Sequence, residues 1–130
     1  MRSNDFFLIE ELFDRAFYQA YIAYSLNQMP VGAVGIGDNK IIYSYNKKHI
    51  HAEEFLIGCH TWIVTLEPCI SCTYLAIRNK VRNIFFAHYS NNGGCSTLIN
   101  LSSFLKVNIN IYGGFKCSKY NLIRQFFNRK

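Results

Sequence analysis

Residues 51–72 read HAEEFLIGCHTWIVTLEPCISC, and this stretch constrains the fold more than any other. One end carries His51 and Glu53, the other Cys69 and Cys72 with Pro68 beside them. Between them TWIVTL, residues 61–66, is a β-branched and aromatic run that reads as a strand. Pro68 suits the first turn of a helix, where its missing N–H is no loss, so residues 69–79 are expected to be helical. On that helix positions 69 and 72 are i and i+3 and share a face, which lets both sulfurs reach one ion near the N-terminus. The positive end of the helix dipole also favours thiolate, the metal-binding form.

His51 and Glu53 would diverge by about 200° in the middle of a helix. In the first turn of a short helix over 51–58, however, their side chains lean toward its N-terminal end and can converge on something just beyond it. Two helix starts aimed at one ion give His51, Cys69 and Cys72 as zinc ligands and leave a fourth position for water, which is the mark of a catalytic site. Two thiolates and a neutral imidazole cancel the zinc charge, so the ion lowers the pKa of water only partway. Glu53 then serves as the base and afterwards as the acid that protonates substrate. The residues leave two other readings open. One is a closed structural zinc site completed by His49, Cys59 or His60. The other is a thioredoxin-like dithiol, although that motif normally follows the first strand of its fold and here it follows the third.

Upstream, apolar residues recur at helical spacing from Asp5 to Leu26 (Leu8, Leu12, Phe13, Ala16, Ala20 and Ala23 among them), and the turn-prone residues Asn27 to Pro30 end the pattern. VGAVGIGDNKIIYSY, residues 31–45, reads as two strands around a Gly-Asp-Asn turn. Downstream, the sequence predicts a strand over 81–88, a loop over 90–94, a short helix over 96–105, a last strand over 107–112 and a basic helix over 116–129. Strands alternating with helices imply an α/β sandwich with helices on both faces of one sheet. At 130 residues and 50% hydrophobic, the chain 1–130 is expected to form a single domain.

Fourteen Lys and Arg stand against eight Asp and Glu, and no acidic residue follows Glu67. Such a half-chain suits a polyphosphate partner, with nucleic acid the first candidate. An odd count of five cysteines and no secretory leader pattern at the start point to a reducing, cytoplasmic setting. No apolar run approaches the roughly 20 residues of a bilayer span, so no membrane partner is expected.

H-x-E followed by P-C-x-x-C is the zinc deaminase signature. With MPVGAVGI (29–36), Asn46, HAE (51–53), VTLEPCISC (64–72) and the ending RQFFNRK (124–130), the chain resembles the bacterial tRNA adenosine deaminases of the cytidine deaminase superfamily. That resemblance implies a cytidine-deaminase-like three-layer α/β/α sandwich around a mixed five-stranded sheet, working as a homodimer. It also implies hydrolytic deamination of adenosine to inosine at the wobble position of a tRNA anticodon stem-loop, with one Zn2+ per chain. By position His51, Cys69 and Cys72 match the zinc ligands and Glu53 the proton shuttle. Asn46 matches the Asn that contacts the target nucleotide, and Val31 and Ala52 border the base. Lys116, Lys119, Arg124, Arg129 and Lys130 are candidates for phosphate contact, with Phe126 and Phe127 as stacking or core residues.

Guanine deaminases share H-A-E and C-x-x-C, so a free-base deaminase acting on guanine or cytosine is the nearest alternative, and a non-catalytic tRNA-binding subunit is another. The chain departs from the family in three places. His51 lies 18 positions before Cys69, a shorter interval than the family's. KKHI (47–50) replaces a longer loop, and His88-Tyr89 stands where the bacterial enzymes usually carry Arg-Asp.

Overall fold

A computed structural model describes residues 3–91, 93–96 and 108–115, with side chains from Leu8 onward. The described elements are helix α1 (Ser3–Ser25), strands β1 (Gly32–Ile36) and β2 (Ile41–Tyr45), a 3-10 turn (Ala52–Phe55), β3 (Thr61–Leu66), α2 (Ile70–Arg78), β4 (Asn83–His88) and β5 (Asn110–Tyr112). The strands form one mixed sheet in the order β2-β1-β3-β4-β5. β1 pairs antiparallel with β2 and β3, whereas β3–β4 and β4–β5 are parallel. The result is the cytidine-deaminase-like α/β fold expected from the sequence.

Period-2 alternation sends neighbouring strand residues to two separate cores. Val34, Ile63, Phe85 and Ala87 pack under α1 against Ile9, Leu12, Phe13, Ala16 and Phe17. Ala33, Trp62, Val64, Ile84 and Phe86 face the other way, toward Ala52, Leu56 and Ala76 of the 3-10 turn and α2. Each large side chain buried this way contributes roughly 1.5–3 kcal/mol relative to exposure. Because β3 is covered on both faces, its sequence is a continuous apolar run and not an alternating one. Helix α1 comes very close to β1 at Gly32, where a Cβ would collide with the Ala16 carbonyl and the Ala20 amide. The small side chains at Ala16, Ala20 and Ala23 make that approach possible.

Helix ends explain most boundary shifts. Asn27, at φ +60°, closes α1 with paired bonds from Gln28 N–H to the Ala23 carbonyl (2.8 Å) and from Asn27 N–H to the Tyr24 carbonyl (3.0 Å). Lys80, at φ +56°, closes α2 the same way through Val81 and Ile77. Val81 is thereby drawn into the cap, and β4 starts at Asn83 instead of at 81. Helix α2 begins at Ile70 with Cys69 as its extended N-cap, so Pro68 precedes the helix and does not sit in its first turn. The helix expected over 51–58 is only a 3-10 turn, because Gly58 at φ +78° swings the chain toward β3. The last strand starts at Asn110 and not at 107; Asn108 and Ile109 precede the ladder. Cys95 and Ser96 begin a helical turn, while the rest of the helix expected over 96–105, and the terminal helix over 116–129, lie outside the described residues.

Candidate metal centre and pocket

Strand β3 ends at Leu66, and the chain passes through Glu67 and Pro68 into α2 at the carboxyl edge of the sheet, where open α/β sheets commonly place their sites. Cys69 at the N-cap and Cys72 in the first turn direct both sulfurs to this edge. The β2–β3 connection brings His51 to the same place. His51 Nδ1 lies 3.2 Å from Cys72 Sγ and 3.7 Å from Cys69 Sγ, and all three donors fall within 4.8 Å of one another. In a tetrahedral site with Zn–S near 2.3 Å and Zn–N near 2.0 Å, neighbouring donors stand about 3.5–3.8 Å apart, so this set has the dimensions of a zinc site. Neither Cys59 nor His60 joins the group: Cys59 is buried against Gly35, and His60 Nδ1 contacts Thr61 Oγ1 at 2.8 Å.

The electrostatics of the cluster fit a cation. Burial, followed by the charges of Glu53 and Cys69, pushes the Cys72 thiol far above its usual range. A divalent ion offsets each of these costs by stabilising the thiolate. Glu53 is 4% exposed, and among the described residues its Oε1 is buried without a hydrogen-bond partner. Burial holds its carboxyl above the ordinary carboxylate range, against the pull of its own backbone amide and of His51. An orphaned buried carboxylate oxygen costs free energy unless something is meant to bond it.

His51, Glu53 and Cys69 line a cavity of about 190 Å³, together with Val31, Asn46 and Ser90. Asn46 has its Oδ1 engaged by the Ala52 N–H at 2.7 Å, which leaves its amide nitrogen as the free donor. Ala52 is fully buried behind the pocket. Of the residues expected at the site, His51, Glu53, Cys69 and Cys72 are brought together, with Val31, Asn46 and Ala52 around them. Lys116, Lys119, Arg124, Phe126, Phe127, Arg129 and Lys130 lie outside the described residues.

Sequence reasoning missed Glu67. Its buried carboxylate accepts the Ser90 N–H at 3.0 Å, the Ser96 N–H at 2.9 Å and the Ser96 hydroxyl. It therefore fixes the loop that forms one pocket wall. The available signal was an acid placed between the apolar TWIVTL and Pro-Cys, where an exposed charge has little room.

The family model for the cytidine and deoxycytidylate deaminase zinc-binding region matches residues 8–88. A tRNA-specific adenosine deaminase of Bacillus subtilis is 32% identical over 106 residues, which take in 66% of this chain and 66% of the relative. The chain thus spans about two thirds of that relative's length. A structure from a study of A-to-I editing by tRNA:A34 deaminases at the wobble position superposes with a TM-score of 0.70 at 19% identity, covering 90% of this chain and 99% of that one. Guanine deaminase from Nitrosomonas europaea superposes with a TM-score of 0.59 at 14% identity, over 86% of this chain and 82% of that one. At these identities both structures speak to the fold alone.

Proposed function

Since the chain belongs to the cytidine and deoxycytidylate deaminase family, we propose that it is a zinc-dependent hydrolase converting adenosine to inosine at the wobble position, 34, of a tRNA anticodon. The observation that carries the reading is the convergence of His51, Cys69 and Cys72 beside a buried Glu53 whose carboxylate oxygen has no partner among the described residues. One zinc per chain, held by those three side chains, supplies the Lewis acidity that makes water a nucleophile near neutral pH. Glu53 takes a proton from the attacking water and returns one to the departing amine, so that water adds at C6 of adenine and ammonia leaves. The cavity is smaller than the roughly 300–1,000 Å³ of pockets for drug-sized ligands, which suits a single flipped base. Asn46, with its oxygen already engaged by the Ala52 N–H, offers its amide N–H to the nucleotide, and Val31 of the cavity wall borders the base.

Charge favours RNA over a free base. A lone purine needs no cationic surface, whereas an anticodon loop brings several phosphates. Lys116, Lys119, Arg124, Arg129 and Lys130 are the candidates for those phosphates, with Phe126 and Phe127 as stacking or core residues. The protein works in the cytoplasm as a homodimer. Ile70 and Tyr74, exposed one turn apart on α2, favour a covered outer face there.

The test is incubation with an adenosine-34 anticodon stem-loop and, separately, with free adenosine, guanine and cytosine. Inosine is expected in the stem-loop alone, and none with Glu53→Ala. Absence of inosine from the wild type overturns the reading. Turnover of free guanine or cytosine replaces it with a free-base deaminase, and stem-loop binding without editing replaces it with an RNA-binding subunit.

A further inference from the structure

The segment that presents His51 and Glu53 is a single short turn, with far less backbone bonding of its own than a helix. Its 3-10 turn is opened by the bond from Glu54 N–H to the His51 carbonyl at 3.0 Å and closed by the bond from Leu56 N–H to the Glu53 carbonyl at 3.1 Å, ending at Phe55. The polar backbone groups at His51 N–H and at Ala52 are held by side chains. The His51 N–H donates to the Glu54 carboxylate at 2.6 Å, the Ala52 N–H donates to Asn46 Oδ1 at 2.7 Å, and the Ala52 carbonyl accepts from the Ser44 hydroxyl at 2.7 Å. Ser44 is buried and paired across the sheet with Ala33, so the rigid β1–β2 hairpin anchors one side of this clamp.

We propose that Ser44 and Glu54 are positioning residues for the metal ligand and the proton shuttle. Ser44 pins the peptide after Ala52 and Glu54 pins the peptide before His51, and between these fixed points the backbone dictates where the imidazole of His51 and the carboxylate of Glu53 aim. Side chains do here what a full helix would do with repeated backbone bonds. The inference rests on the reading that His51 is a metal ligand and Glu53 the base.

The test measures zinc affinity of the whole chain by competition with a chelator, using zinc alone as the probe, well below the melting temperature of each variant. Ser44→Ala and Glu54→Ala are each expected to weaken zinc binding about 10- to 100-fold, the usual effect of removing a partner behind a ligand. Glu54→Gln, which keeps an acceptor oxygen, is expected to restore most of the loss. A purely structural role would lower the melting temperature and leave the affinity of the folded protein unchanged. Because Glu54 is exposed, its variants report even where Ser44→Ala does not fold. Affinity within twofold of wild type for Glu54→Ala, or no recovery with Glu54→Gln, overturns the proposal. Unchanged affinity with normal inosine formation sinks the clamp and leaves the deaminase intact; weakened affinity with no inosine from the wild type does the reverse.

Discussion

The cysteine arm and the histidine arm of the donor cluster reach the same point by different means. Cys69 and Cys72 ride on α2, whose first turn is closed by Thr73 N–H on the Cys69 carbonyl at 2.8 Å and reinforced by the Thr73 hydroxyl at 2.8 Å. Those bonds repeat along the helix, so the spacing of the two sulfurs follows from helical geometry. His51 and Glu53 depend instead on Ser44 and Asn46, eight and six residues before Ala52 and on another element. A helix supports its ligands through many interchangeable bonds, whereas a clamp supports them through a few that each matter.

The largest expected effect is common to both arms. Cys72→Ser removes a buried donor, and metal analysis should find bound zinc lost and inosine formation at background. A variant that retains one zinc per chain would take Cys72 out of the ligand set. Next comes Glu53→Gln, which separates chemistry from metal binding. Zinc content should hold at the wild-type level while single-turnover deamination falls roughly 10²- to 10⁴-fold.

The third prediction sets the arms directly against each other. Asn46→Ala leaves the fully buried Ala52 N–H without its acceptor, and urea denaturation should show a loss of about 1–3 kcal/mol. Thr73→Ala should cost only about 0.5–1.5 kcal/mol, because the Cys69 carbonyl keeps the Thr73 N–H. The opposite order would erase the distinction between clamp and helix.

The smallest effect lies outside both arms, at the end of β4. Burial holds the His88 imidazole below its ordinary 6.5, and among the described residues its Nε2 has no partner. The unfolded chain therefore takes up a proton that the folded chain refuses. Stability from this group is whole above pH 6.5 and declines as the pH drops below it. In chemical denaturation across that range, His88→Phe should flatten the acid side of the profile relative to wild type.

The difference between the arms is also the difference between what the sequence reveals and what it hides. β3 was legible at its true bounds because a doubly covered strand must be a run of apolar, β-branched residues. The spacing of Cys69 and Cys72 was legible because i and i+3 share a helix face whether the helix starts at Pro68 or one residue past the N-cap. The 3-10 turn was not. Residues 51–58 have enough length for two helical turns, and only the left-handed Gly58 and the packing of Leu56 and Cys59 under Gly35 cut it to four residues. Glu54 and Glu67 have no assigned part in the sequence reading, because their partners are fixed by folding. Those of Glu67 are Ser90 and Ser96, 23 and 29 residues away.

His51, Cys69 and Cys72 are expected to form one zinc centre with an open fourth position. X-ray absorption at the zinc K-edge of the purified protein addresses it most directly. One zinc per chain is expected, with two sulfur scatterers near 2.3 Å and two nitrogen or oxygen scatterers near 2.0 Å, one of which is replaced by added water in His51→Ala. A centre of three or four sulfurs, or a protein that edits RNA without bound zinc, would contradict it.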